Sequence, residues 1–168
     1  MTTVAYRAGT MACDSCWTAG DGGIDSLASK IRRLKSGALL GAAGDNDSRP
    51  LERLLDRVAT PARMPPFETL IAIRREFCGL LVLPCGAVFK VATALLPPEN
   101  WNADFSDDIG VWPIHAPFAA VGSGAAYALG AMAAGADPRD AVSIACGFDP
   151  HSRPPVHFEV LHHGKTNR

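Results

Sequence analysis

The residue pattern of this chain changes period in blocks, and the order of the blocks narrows the fold more than any single motif. Residues 2–7 are β-compatible and are followed by Ala8-Gly9, a tight-turn dipeptide, with residues 10–16 reading as the returning strand. Residues 20–29, rich in Gly, Asp and Ser, read as a loop. Residues 30–34 and 38–43 form a second predicted hairpin around Lys35-Ser36-Gly37. Over residues 50–58 the period becomes helical. Leu51, Leu54, Leu55 and Val58 recur with charged residues between them, Asp47 or Ser48 is the candidate cap, and Pro61 ends the segment. A short helix is predicted over 67–77, with Leu70, Ile71 and Ile73 facing inward.

Strand text returns at 79–83 and 87–92, joined by Pro84-Cys85-Gly86, and the proline- and acid-containing stretch 95–108 reads as a loop. Short strands are predicted at 110–114 and 118–121. Residues 122–136 read as a helix whose Ala and Gly side chains let its backbone approach a sheet closely. Asp137-Pro138 starts a further helix to about Gly147, since Asp caps and Pro suits the first turn. Residues 156–161 make a last strand. Strands, two helices, strands, two helices, strand: that order predicts an α+β protein with two sheets face to face and helices outside, not a βαβ arrangement. At 168 residues the chain holds one substantial core, so a single domain is expected over 1–168, with 161–168 as a loose tail.

A formal net charge of −1 argues against nucleic acid or an anionic membrane as an obligatory partner, and the basic run from Lys30 to Lys35 is local. No apolar run reaches membrane-spanning length, and residues 1–7 lack the charged start and apolar stretch of a signal peptide. Five cysteines form an odd set. Cys13 and Cys16 make a Cys-x-x-Cys, but Cys78, Cys85 and Cys146 supply no second pair for zinc. A thioredoxin-type motif opens a helix, whereas here the flanks read as strands, so small buried or half-buried thiols, reduced as suits a cytoplasmic protein, are expected. His162 and His163 are adjacent and point to opposite faces of a strand, and His115, His151 and His157 show no ligand spacing. Neither metal nor cofactor is expected.

The chemistry is suggested by the second residue. Thr2 follows the initiator methionine, and a residue that small allows Met1 to be removed, leaving a hydroxyl and a free α-amine on one residue. The amine, with an ordinary pKa of about 7.7–8.0, is a base built into the nucleophile. Many chains begin Met-Thr, so this becomes informative only through what accompanies it.

The text Thr2-Thr3-Val4-Ala5-Tyr6-Arg7, then Ala12-Cys13-Asp14-Ser15, Lys30-Ile31-Arg32-Arg33-Leu34 and Gly41-Ala42-Ala43-Gly44-Asp45 resembles the opening of proteasome β subunits and of the HslV peptidase. Val121-Gly122-Ser123-Gly124 and the helix text after it resemble the family's Gly-Ser-Gly turn, and Asp149-Pro150-His151-Ser152 keeps its Asp-x-x-Ser spacing. The matches occur in the family's order and span nearly the whole chain. The resemblance implies a four-layer αββα fold of the N-terminal-nucleophile hydrolase type and a threonine-type endopeptidase acting on peptides or unfolded proteins. It implies Thr2 as nucleophile, Lys30 lowering the pKa of its hydroxyl, and Asp14 orienting Lys30. Gly41 would give an oxyanion-hole N–H, and Ser123, Asp149 and Ser152 would hold the amine and a water. It also implies a homo-oligomeric ring and, by analogy with HslV, an unfoldase ATPase as a candidate partner.

Each residue also has a plainer reading. Lys30 is one more cation in a basic run, Asp14 a strand residue that breaks edge pairing, and Gly41 and Gly44 places of close backbone approach. Ser123 reads as a helix cap, Asp149 and Ser152 as turn residues. The family commonly has glycines after Asp-x-x-Ser, where this chain has Arg153-Pro154-Pro155. Two alternative functions remain open: a small-molecule amidase or acylase on the same nucleophile, and a catalytically silent assembly protein that retains Met1.

Overall fold

The computed structural model describes residues 2–19, 22–25, 29–44, 49–73, 76–93 and 110–162. Eleven strands and four α-helices are defined among them. Strands β1 (Thr3–Arg7) and β2 (Thr10–Cys13) pair across the Ala8-Gly9 turn, where Ala8 has φ 47 and Gly9 φ 85. With β10 (Phe118–Gly122) and β11 (His157–Val160) they form an antiparallel sheet ordered β10-β1-β2-β11. A second antiparallel sheet is ordered β5-β6-β7-β8-β9, from β5 (Ile31–Arg33), β6 (Leu39–Gly44), β7 (Phe77–Val82), β8 (Val88–Thr93) and β9 (Gly110–Ile114). Between β2 and β5, β3 (Cys16–Ala19) and β4 (Gly22–Asp25) make a two-stranded hairpin.

Three apolar seams stack these elements. Along β1, Val4 and Tyr6 turn one way and Ala5 the other, as strand alternation requires. Val4, Tyr6, Met11 and Cys13 meet Ile31, Leu39, Leu80 and Val82 of the second sheet, closing the seam between the sheets. The opposite face offers the small Ala5 and Ala12, which let α3 (Ala125–Ala133) and α4 (Pro138–Phe148) lie close through Ala128, Met132, Ala141, Val142 and Ala145. On the far side of the second sheet, Leu40, Leu81, Phe89 and Val91 receive Leu51 and Leu55 of α1 (Arg49–Leu55) and Leu70 of α2 (Phe67–Ile71). Helices, sheet, sheet, helices: the layering is the αββα arrangement expected from the sequence. Each leucine fully buried in these seams contributes roughly 1.5–3 kcal/mol before conformational entropy is set against it.

Several boundaries differ from the sequence reading. The segment read as a loop over 20–29 contains β4, whose residues pair with β3. The helix expected over 67–77 stops at Ile71, because Phe77 is drawn into β7, where it pairs with Gly44 and Thr93. Asp137 caps α4 as expected, its Oδ1 accepting the N–H groups of Arg139 at 2.8 Å and Asp140 at 3.0 Å. Arg7 donates from Nη1 to the carbonyls of Met132 at 2.9 Å and Ala136 at 3.1 Å, tying β1 to the end of α3. Leu161, read as the start of a tail, is buried and donates its N–H to Gly9 O at 2.7 Å. The cap candidates Asp47 and Ser48, the loop 95–108 and residues 163–168 lie outside the described residues.

Candidate active site

The centre of the site is a buried carboxylate at the end of β2. Asp14 has four acceptor positions on its two oxygens, and four donors occupy them. Oδ1 accepts the Thr3 N–H at 2.8 Å and the Lys30 ammonium at 2.8 Å. Oδ2 accepts the N–H of Cys16 at 2.8 Å and of Arg153 at 3.3 Å. The Asp14 N–H in turn donates to Thr3 O at 3.1 Å. Asp14 is completely buried and 7% of the Lys30 side chain is exposed, so the pair is shielded from solvent. Burial of this kind demands full pairing, and the site provides it.

Lys30 enters from the second sheet. Its N–H reaches Cys13 Sγ at 3.4 Å and its carbonyl accepts from Ala42 N at 3.2 Å, which ties the start of β5 to β6. Two bonds from one oxygen bring the Lys30 ammonium within two hydrogen-bond lengths of the Thr3 nitrogen, the atom that follows the Thr2 carbonyl. Thr2 is 3% exposed. Continuing the alternation of β1 turns its side chain to the face of Val4, the face between the sheets against which Ile31 also packs.

A second buried carboxylate lies on the helix side of β1. Asp149 follows the last residue of α4; its Oδ2 accepts the hydroxyls of Ser152 at 2.6 Å and Ser123 at 2.7 Å, and its Oδ1 the His151 N–H at 3.2 Å. Burial alone would raise the Asp149 carboxyl, but the donors from Ser152, Ser123 and His151 outweigh it and hold the group below the ordinary carboxylate range. Ser152 Oγ is also 2.6 Å from Thr3 Oγ1. The two carboxylates therefore meet at Thr3, Asp14 through its main chain and Asp149 through its side chain.

The Gly-Ser-Gly turn before α3 follows from this crowding. Gly122 has φ 96, and a Cβ there would lie 1.8 Å from the Thr2 carbonyl oxygen. A Cβ on Gly124 would lie 2.1 Å from Thr3 Oγ1 and 3.0 Å from Asp149 Oδ2. Neither position admits a side chain while the threonines and Asp149 stay where they are.

Of the residues singled out from sequence, Asp14 and Lys30 are brought together next to Thr2, and Ser123, Asp149 and Ser152 form one hydrogen-bonded group. Gly41 is placed differently. It sits in the interior of β6, paired with Ile31 on one side and Leu80 on the other, where a Cβ would press on Val4 Cγ1 at 2.5 Å and Met11 Sδ at 2.8 Å. Thr3 and Arg153 carry contacts that the sequence reading did not assign. For Thr3 a signal existed: alternation puts a polar side chain on the inner face that Ala5 shares, an unusual place unless a partner waits there. Arg153-Pro154-Pro155, read as a departure, clasps the other centre. Arg153 donates to Asp14, its carbonyl accepts from Ser15 N at 2.9 Å, and Pro155 O accepts the Ser15 hydroxyl.

The cysteines beside the site are free. Burial pushes the Cys13 thiol up, and pushes that of Cys146 up to about 11, with the Asp14 carboxylate adding to it, so both are protonated near neutrality. Among the described residues no group of three or more His, Cys, Asp or Glu is placed to hold a metal, and no helix is long and apolar enough to cross a membrane.

No family model matches the chain, and no curated protein does. Solved structures do. HslV from Trypanosoma brucei superposes with a TM-score of 0.67 at 20% identity, over 96% of this chain and 99% of that one. BPH from Thiobacillus denitrificans, solved alone and in complex with epoxomicin, gives a TM-score of 0.58 at 20% identity in each case, over 96% and 98%. The chain has the proteasome/HslV-type fold, and the agreement runs nearly from end to end.

Proposed function

We propose that this chain is a threonine-type peptidase in which removal of Met1 frees the α-amine of Thr2. The Thr2 hydroxyl attacks a peptide carbonyl, its own amine takes the proton directly or through water, and water then hydrolyses the acyl-enzyme. The observation that carries this reading is the shared oxygen of Asp14, which holds the Lys30 ammonium against the main chain next to Thr2. A fixed cation beside a hydroxyl favours its ionised form. Ser123, Asp149 and Ser152 form the polar wall behind the threonines, and the Asp149 anion favours a charged amine when the proton has been taken up.

For the oxyanion, strand geometry favours Gly44 over Gly41. N–H groups alternate sides along a strand. Ala42 donates toward Lys30, so the Gly41 N–H is turned into the ladder with β7, while that of Gly44 returns to the Lys30 side beyond the start of β5. An N–H aimed at a developing oxyanion is worth about 10²–10³ in rate.

Peptides and unfolded proteins are the proposed substrates, within a closed homo-oligomeric ring. Support for assembly comes from an apolar face on α3 and α4, where Tyr127, Ile144 and Phe148 are exposed and the rings of Tyr127 and Phe148 stack at 5.7 Å. An unfoldase ATPase is a candidate partner, because an enclosed site is reached by unfolded chains alone. Five free cysteines fit a cytoplasmic location. The test is Thr2→Ala: hydrolysis of an unfolded protein substrate should vanish while the assembly sediments unchanged. Hydrolysis surviving in that variant removes Thr2 as the nucleophile.

A further inference from the structure

Resting on the peptidase reading above, we infer that Thr3 is a positioning residue for the Thr2 nucleophile, acting through its hydroxyl. A carboxylate accepts and does not donate, so the single Ser152 proton is committed to Asp149 Oδ2. The 2.6 Å contact between Thr3 Oγ1 and Ser152 Oγ must then carry the Thr3 proton. The chain is ordered: Thr3 O–H to Ser152, Ser152 O–H to Asp149. Ser123 donates to the same oxygen of Asp149 and fixes the far end.

The Thr3 main chain is pinned as firmly. Its N–H donates to Asp14 Oδ1, its carbonyl accepts the Asp14 N–H, and it pairs with Gly122 across β1 and β10. Thr3 is entirely buried. A residue held at its nitrogen, its carbonyl and its side chain has no freedom of rotation left. The peptide that joins it to Thr2 is therefore set, and with it the direction in which Thr2 projects. Of these holds the hydroxyl is the one that runs through Ser152 to Asp149, so it sets the nucleophile-bearing end of the strand against that carboxylate. A misplacement on the order of 1 Å at a reacting group costs about 10²-fold in rate.

Two substitutions separate the hydroxyl from the packing. Thr3→Val keeps the shape and removes the O–H; Thr3→Ser keeps the O–H and removes the methyl group. The full-length chain is incubated with epoxomicin, and adduct formation is followed by intact mass against reagent concentration, giving a binding constant and a limiting rate. Thermal unfolding is recorded alongside. The inference predicts that Thr3→Val lowers the limiting rate about 10- to 100-fold with the binding constant kept, and that Thr3→Ser restores most of it. A packing role predicts the reverse order of the two variants. Thr3→Val reacting like wild type, or Thr3→Ser as slow as Thr3→Val, overturns the inference. Wild-type protein that forms no adduct at Thr2 overturns the peptidase reading, and the role of Thr3 with it, so the two failures are told apart by the control.

Discussion

Lys30 and Asp14 meet at 2.8 Å with almost none of either side chain in contact with solvent. Such a pair costs much to bury and more to break, because the surviving partner keeps its charge without compensation. Asp14→Ala leaves the Lys30 ammonium unpaired and takes the acceptor from the N–H groups of Thr3, Cys16 and Arg153. Urea unfolding should show a loss on the order of 3–5 kcal/mol. Lys30→Met leaves Asp14 three N–H donors, so it should cost less stability than Asp14→Ala. Its reaction rate should nonetheless fall about 10- to 1000-fold, the range of the lost electrostatic help. Equal stability losses in both variants would contradict this division.

Two glycines in α3 and its approach should respond oppositely to alanine. At Gly124 the new methyl group meets Thr3 Oγ1 at 2.1 Å, within a wall that cannot yield without moving Asp149. Overpacking of this kind costs about 1–3 kcal/mol. At Gly130, inside the same helix, nothing lies within 4 Å of the new atom, and the helix gains about 0.5–1 kcal/mol. Thermal unfolding of Gly124→Ala and Gly130→Ala gives both signs directly.

Asp149 predicts an acid-limited stability. Its carboxyl is held below the ordinary range in the folded chain, so its contribution is fully present above the unfolded value, about 3.9. It is lost as pH falls through the lower folded value. The difference in unfolding free energy between wild type and Asp149→Asn should be flat above about pH 5 and should shrink below about pH 4. A difference that stays constant through the acid range would mean that the donors from Ser152, Ser123 and His151 do not favour the anion.

The apolar face on α3 and α4 predicts an assembly that can be taken apart. Phe148, 68% exposed and stacked on Tyr127, is the residue whose loss costs the monomer least. Phe148→Glu should sediment as a smaller species with unchanged circular dichroism. A variant that sediments like wild type would place the subunit contacts elsewhere.

The layers were legible in the sequence because two periods alternate in it: Val4 and Tyr6 against Ala5 on a strand, Leu51 and Leu55 on a helix. Both acids and Lys30 were legible through the family resemblance, not through spacing, since nothing local distinguishes Lys30 from its cationic neighbours. What escaped depends on pairing between distant segments. Gly22–Asp25 has the composition of a loop and becomes a strand by pairing with Cys16–Ala19. Phe77 follows helical text and joins a strand because Gly44 and Thr93 flank it. The choice between Gly41 and Gly44 turns on which way an N–H points, and that is known only once β5 and β7 lie on either side. Thr3 escaped for a related reason. Its partner Ser152 is 149 residues away.

The most direct test of the account is the intact mass of the purified protein before and after epoxomicin, with the site of modification located by fragmentation. The account predicts a chain that lacks Met1 and carries one reagent molecule, on Thr2. A chain that retains Met1 and takes up no reagent would leave the proteasome/HslV-type fold in place and contradict the assignment of Thr2 as its nucleophile.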